Sequence, residues 1–348
     1  MIIELLPKTE KQYRANLHSH STVSDGQFTP EELKKRYMDR GYSIIAYTDH
    51  NALVTHNELS DENFLALNGY EIDTFRLVDP SEGFEVQCLS THLCLIAKDK
   101  NTDTMPLYVE ARVPEGAKDK VKYNRDDPHS EREYDADCIN SLIKAAHDSG
   151  FFVTYNHPAW SFENFRQYSL YKGLDACEIM NFASVIEGYP DEVPYVYDDL
   201  LREGNDLSCV ATDDNHNEAG MFGGSVVFCA EELTYEAIIS ALEKGHFYAV
   251  SRDPRYEGPE FDSITFDGYK FTVKTKTPVR SVSFSSNHRL NGKTVAKDDN
   301  GIMEAEFTVV DTWDKRLYVR IVLEDYNGNR AYSNAYRYNR IAEEMGLR

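Results

Sequence analysis

The sequence is poor in basic residues: 37 Lys and Arg stand against 59 Asp and Glu, a formal net charge of −22. It contains no Lys/Arg-rich run. The positive footprint of a nucleic-acid binder is therefore missing, and a nucleic-acid polymer is not expected as a partner. A small anionic substrate stays open, because bound divalent ions would dominate the local field. No run of 18 apolar residues occurs, and the first eight residues lack a signal-peptide core. A membrane-spanning helix is excluded on that reading, no membrane partner is expected, and the expected location is the cytoplasm. The six cysteines (Cys88, Cys94, Cys138, Cys177, Cys209, Cys229) form no Cys-x-x-Cys pair. Scattered through apolar stretches, they read as buried free thiols in a reducing compartment. Internal repeats and low-complexity tracts are absent as well.

What the chain does have is a core. It is 41% hydrophobic and 12% aromatic, with 23 Tyr, which argues against long disorder. Its 348 residues leave room for one barrel-type α/β domain of roughly 250 residues and a smaller module. From Tyr13 to Ser251, short apolar runs alternate with amphipathic segments. Strands are expected over 15–18, 43–47, 64–72, 85–90, 92–97, 151–155, 176–180, 207–212, 225–229 and 246–250. Helices are expected over 30–40, 135–149, 193–203 and 235–244. The first helix has Thr29 as N-cap, Pro30 at its first position and Glu31 and Glu32 on the positive end of its dipole. Gly41, Gly204 and Gly245 are the expected stops. This strand–helix repetition implies a largely parallel sheet or barrel in an α/β fold. Residues 98–133 break the rhythm and read as an insertion or lid. Beyond Arg255, short alternating runs are separated by Asn291-Gly292, Asn300-Gly301 and Asn327-Gly328, which predicts a small β-sandwich. The expected domains are thus 1–254 and 255–348.

Chemistry gathers at the ends of the apolar runs. His18-Ser19-His20 places two imidazoles two residues apart, on one side of a strand end. Asp25 returns on the next loop, and Gly26 permits a tight turn there. Thr48-Asp49-His50-Asn51 ends a second run, Glu71 a third, and Asn156-His157-Pro158 and Asp213-Asp214-Asn215-His216 two more; His92 leads another. Each motif alone has an ordinary structural reading, such as a helix cap, a core histidine or a solvated acid. Together they do not scatter as chance would have it: seven of the eleven histidines fall in or beside a strand end. If the sheet is parallel, all these ends share one face, as in a barrel active site. A cluster holding two or three divalent metals (zinc, manganese or iron) is the economical explanation.

The ordered series from His18-Ser19-His20 through Ser24-Asp25-Gly26, Thr48-Asp49-His50-Asn51, Gly69-Tyr70-Glu71, Thr91-His92-Leu93 and Asn156-His157-Pro158 to Asp214-Asn215-His216 resembles the PHP family, named for polymerase and histidinol phosphatase domains. The match covers about residues 13–251 and is specific for fold and metal chemistry, not for substrate. The resemblance implies a distorted (β/α)7 barrel with up to three metals. It implies that His18, His20, Glu71 and Asp214 hold one, that Glu71, His92 and His157 hold a second, and that Asp25, His50 and His216 hold a third. Asp213 is the alternative ligand to Asp214, with the Asp-x-His spacing favouring Asp214. Ser24-Asp25-Gly26 resembles the phosphoesterase branch, and the 241–251 segment resembles members that carry an appended β-domain.

The expected activity is hydrolysis of a small phosphate ester by metal-activated water. Glu71, Asp214 and His216 are the expected catalytic residues, and Arg14, Arg252 and Asn181 the expected substrate contacts. Glu178 is a further candidate for lining the pocket, and Asp49 or Asp213 for orienting the histidines. The rivals are amide or ester hydrolysis on the same cluster, and a non-catalytic, metal-stabilised binding protein.

Overall fold

The computed structural model describes residues 1–79, 81, 83, 88–126, 132–289, 291–309 and 318–346. Its strands are β1 Ile3–Leu6, β2 Tyr13–Asn16, β3 Ile44–Tyr47, β4 Leu65–Leu77, β5 Cys88–Ala97, β6 Thr104–Met105, β7 Lys122–Tyr123, β8 Phe151–Tyr155, β9 Ala176–Asn181, β10 Ser208–Thr212, β11 Gly224–Phe228, β12 Phe247–Ser251, β13 Phe261–Phe266, β14 Lys270–Val279, β15 Ser281–Ser286, β16 Gly292–Val295, β17 Ile302–Thr308, β18 Tyr318–Glu324, β19 Arg330–Ser333 and β20 Tyr336–Arg337. The helices are α1 Pro30–Met38, α2 Ala136–Asp148, α3 Phe165–Tyr168, α4 Phe182–Ile186, α5 Pro194–Arg202, α6 Tyr235–Lys244 and α7 Tyr338–Glu344. The chain is thus a mixed α/β fold in two parts, an α/β part followed by a part built mainly of strands.

Local signals set the helix ends. Thr29 and Glu32 close a reciprocal capping box around the first turn of α1, and Leu33 and Tyr37 turn inward from its other face. Asp135 and Thr234 cap α2 and α6 by accepting from the N–H groups of Cys138 and Ala237, and Gly245 ends α6 in the left-handed region at φ +70°. The expected helices stand, shortened by up to two residues at their ends.

The sheet departs from expectation in direction. Strands β2, β3 and β4 run parallel, as do β8, β9 and β10, but β5 lies antiparallel to both β4 and β8. In the run β10-β9-β8-β5-β4-β3-β2, the segments that leave the two outer strands come together. Just beyond them Ser19 and Asn215 form a parallel bridge, and the Asp214 N–H donates to the His18 carbonyl at 2.9 Å. The exits of β2, β3, β8 and β10 therefore share one end with the start of β5. The expected strands over 85–90 and 92–97 are one strand from Cys88 onward, and 85–87 lie outside the described residues.

The segment 98–133, expected as an insertion or lid, folds onto the main core. Its Met105, Leu107, Val113, Ala117 and Val121 are buried with side chains of β4, β5 and α2, and β6 pairs with β7; residues 127–131 lie outside the described residues. Burying its few apolar side chains is what holds so polar a stretch in place.

The boundary expected at 254 and 255 is crossed twice. β12 continues the sheet into β19, β18, β15 and β16, while β1, at the very start of the chain, pairs with β13 in a second sheet of order β1-β13-β14-β17. The two sheets share a core that includes Leu6, Val250, Phe261, Ile264, Val273, Val282 and Ile321. No helix is long and apolar enough to cross a membrane among the described residues.

Candidate metal centre

Glu71 sits in the middle of β4 and is fully buried. β4 overruns β3, so the exit of β3 lies beside it: the Glu71 N–H donates to the Asp49 carbonyl at 3.2 Å, and the Asn51 N–H to the Glu71 carbonyl at 2.7 Å. Around its carboxylate stand five imidazoles. Oε1 lies 3.3 Å from His18 Nε2, 3.1 Å from His92 Nδ1 and 3.3 Å from His157 Nε2. Oε2 lies 2.9 Å from His50 Nδ1 and 3.5 Å from His20 Nε2. His92 joins because β5 is antiparallel, which brings the start of that strand to the end where its neighbours exit.

Asp214 supplies the second carboxylate, with Oδ1 2.9 Å from His20 Nε2 and 3.2 Å from His18 Nε2. At the mouth, the half-exposed Asp25 lies 3.5 Å from His216 Nε2, 3.7 Å from His50 Nε2 and 3.8 Å from His20 Nδ1. All nine residues expected from the sequence as metal ligands fall into four overlapping groups with the spacing of a cation site. These are His18, His20 and Asp214; His18, Glu71 and His157; His50, Glu71 and His92; and His20, Asp25, His50 and His216. The expected trio of Glu71, His92 and His157 is split between two groups.

Three residues at this end, Asn51, His157 and Asp214, hold positive φ (52°, 23° and 52°) without being glycine. Such conformations are unfavourable for side-chain-bearing residues and persist where the surroundings over-determine them. The loop carrying Asp25 is tight for a different reason: a Cβ on Gly26 would stand 2.2 Å from the His20 carbonyl oxygen.

The donors fit a cation. Buried polar atoms are normally hydrogen-bonded, yet Glu71 Oε2, Asp214 Oδ1 and His20 Nδ1 are buried with no hydrogen-bond partner among the described residues. Burial alone would push the pKa of Glu71 up, but the imidazoles of His18, His92 and His50 outweigh it and hold the carboxyl well below its usual range. Asp214 behaves likewise against His18, His20 and His216. Burial, with His50 and His216 alongside, pushes His20 down to about 4, so it is a neutral donor. Three other imidazoles go the opposite way: against burial, Asp214 and Glu71 hold His18 well above its usual range and raise His50 and His157 to about 9, so a divalent metal taking these donors displaces their protons.

A layer of fixed hydrogen bonds orients these donors. Glu178 Oε1 is 2.8 Å from His18 Nδ1, and its Oε2 accepts the His157 N–H at 2.8 Å. Asn156 Nδ2 donates to Glu71 Oε1 at 2.8 Å, and the Asp214 carbonyl lies 3.0 Å from His216 Nδ1. Such partners fix which nitrogen faces the metal.

Several expectations need correction. Glu178 and Asn181 do not line the pocket: both are buried, and Asn181 caps α4 while its Nδ2 donates to Glu178 and Asp214. Arg14 and Arg252 do not face the cluster. They line a separate cavity of about 520 Å³, where both pair with Glu257 at 2.5 and 3.2 Å. Asp213 points away from the cluster, accepting from the N–H groups of Phe222 and Gly224 and from Tyr37 Oη, and burial pushes it up to about 6. Asp49 holds no histidine. Its carboxylate accepts from the N–H and hydroxyl groups of Ser21 and Ser24 and so anchors the loop before Asp25.

The cluster opens into a cavity of about 330 Å³. Besides the metal-competent residues, its walls are Trp160, Ala183, Ser184 and Glu187, none of which the sequence singles out. No Lys or Arg lines it among the described residues.

No family model and no curated protein sequence matches the chain. Solved structures similar to it include a two-domain protein containing a predicted PHP-like metal-dependent phosphoesterase from Bacteroides vulgatus, at 15% identity and TM-score 0.45, over 94% of this chain and 97% of that one. An amidohydrolase from Chromobacterium violaceum with bound sulfate and no metal is similar at 14% identity and TM-score 0.37, over 59% of this chain and 88% of that one. A lesion-specific endonuclease from Pyrococcus furiosus is similar at 13% identity and TM-score 0.39, over 72% of this chain and 62% of that one. The exclusion of a nucleic-acid polymer, expected from charge, stays an expectation.

Proposed function

We propose that the chain is a metal-dependent phosphoesterase acting on a small phosphate ester. The observation that carries this reading is Glu71: a fully buried carboxylate facing five imidazoles, with one oxygen lacking any hydrogen bond among the described residues. His18, His20 and Asp214 would hold one ion, Glu71 with His18 and His157 or with His50 and His92 a second, and His20, Asp25, His50 and His216 a third. This mixture of imidazole and carboxylate suits zinc, manganese or iron. When bound, such ions lower the pKa of water and draw charge from phosphoryl oxygens.

The chain's own groups do the positioning. Glu71 and Asp214 stay ionised between the imidazoles. Glu178 fixes His18 with Nε2 toward the cluster. His216, its Nδ1 held by the Asp214 carbonyl, turns Nε2 to the mouth, where substrate enters. Depletion of cations from the wall leaves the phosphoryl charge to the metal cluster. The run of seven strands, with the exits of its two outer strands brought together, supports reading the first part as a distorted (β/α)7 barrel, and the core shared by two sheets supports reading the second as a β-sandwich.

The full chain loaded with zinc, manganese or iron is expected to hydrolyse p-nitrophenyl phosphate, and His18→Ala to lose metal and turnover together. Full activity without metal overturns the reading. Cleavage of anilides or carboxylic esters, with phosphate esters untouched, replaces it by amide or ester hydrolysis. A metal-loaded protein inert on every class leaves a metal-stabilised binding protein.

A further inference from the structure

The wall of the metal cavity carries one large aromatic side chain and no basic one among the described residues. Trp160 stands edge-on to His92 and His157, with ring centroids 5.3 and 5.0 Å apart. Its turn is clamped. The N–H groups of Ala159 and Trp160 both donate to the carboxylate of Asp191, which is itself buried, at 3.1 and 2.8 Å. Three residues on, Glu163 accepts from Thr91 Oγ1, Tyr134 Oη and Tyr155 Oη at 2.6–2.7 Å, tying the turn to β5 and β8.

The two segments that supply this wall, the turn of Trp160 and α4, also expose apolar side chains. Phe162 is 50% exposed despite a φ of +56°, a conformation unfavourable for a bulky residue, and it meets Tyr189 edge-on at 6.0 Å. Val185 and Ile186 on α4, the element that also supplies Ala183 and Ser184 to the wall, are exposed as well. A rigid aromatic held open beside a reactive centre is the usual way to seat a flat, uncharged group. A second phosphate on the substrate would find no cation on this wall and would meet Glu187 instead.

We propose that Trp160, extended by the exposed Phe162 and Ile186 on the same two segments, is a specificity subsite for a planar apolar group, so that the substrates are phosphate monoesters of aromatic alcohols and not polyphosphorylated compounds. This rests on the phosphoesterase reading above.

The test compares phenylphosphonate with methylphosphonate as inhibitors of p-nitrophenyl phosphate hydrolysis by the metal-loaded full chain. Phenylphosphonate should inhibit at a concentration at least about tenfold lower, the scale of one aromatic contact. Trp160→Ala, with metal content checked, should collapse that ratio to about 1 and leave methylphosphonate unchanged, while Trp160→Phe should keep most of it. Equal inhibition of the wild type by both compounds overturns the subsite without any variant, as does an equal loss of both in Trp160→Ala. Absence of phosphate-ester turnover overturns the phosphoesterase reading, and the subsite with it.

Discussion

Glu178 Oε1 lies 2.8 Å from Nδ1 of His18, and both side chains are buried. The contact leaves His18 only its Nε2 to offer the cluster. Glu178 also receives Thr212 Oγ1, the His157 N–H and Asn181 Nδ2. One carboxylate on β9 thus sets the orientation of residues from three other strand exits. Glu178→Gln keeps an acceptor but no charge, and should weaken metal binding by about 10-fold; Glu178→Ala should weaken it by up to about 100-fold. Competition with a chelator measures both, and unchanged affinity in Glu178→Ala would remove the orienting role.

The two adjacent acids at the end of β10 should separate cleanly. Asp214 is inside the cluster, so Asp214→Asn should lower bound metal and turnover with little change in thermal stability. Asp213 instead joins β10 to the entry of β11 through the Phe222 and Gly224 N–H groups and Tyr37. Asp213→Asn should keep the metal but lose about 1–3 kcal/mol of stability, because at least one buried donor loses its partner. Metal analysis and urea unfolding of the two variants test this, and the reverse pattern would reassign the ligand.

Much of this site is legible in the sequence because its chemistry sits where apolar runs stop. The runs ending at Asn156-His157 and Asp214-Asn215-His216 are read correctly since β8 and β10 are buried strands with abrupt polar exits. The direction of β5 is not legible: a strand buried on both faces has the same residue pattern whichever way it runs. Nor is the role of Glu178, because an acid inside a strand does not reveal which side chain it will meet across the sheet. Arg14 and Arg252 mislead for a related reason. Closeness in sequence to His18 and to the end of β12 does not say which end of the strand a long side chain reaches, and Glu257, which claims both, is too far from Arg14 in sequence to foresee.

Gly26 closes the loop that carries Asp25, and a Cβ there would stand 2.2 Å from the His20 carbonyl oxygen. Gly26→Ala should push Asp25 away from His50 and His216, and the group at the mouth should lose its metal first. Metal stoichiometry should fall while the more deeply buried ions remain, at a stability cost of about 1–3 kcal/mol. A full complement of metal in Gly26→Ala would show that the loop can relax.

His56 supplies a pH dependence separate from the cluster. It is buried against Tyr47, and its Nε2 has no hydrogen-bond partner among the described residues. Burial holds its pKa below the ordinary value of 6.5, against the opposing pull of Asp49 and Glu58. In the unfolded chain this imidazole takes up a proton near pH 6.5, whereas in the folded chain it stays neutral to lower pH. The unfolded state therefore binds more protons as pH falls below about 6.5, and stability drops until the folded pKa is passed. Above that window the group costs nothing. His56→Phe, which keeps a ring against Tyr47 and cannot titrate, should lose less stability than the wild type between pH 7.5 and pH 5.5. Urea unfolding of both proteins under chelation compares the slopes without metal release, and parallel slopes would mean that His56 takes up its proton as readily in the folded chain as in the unfolded one.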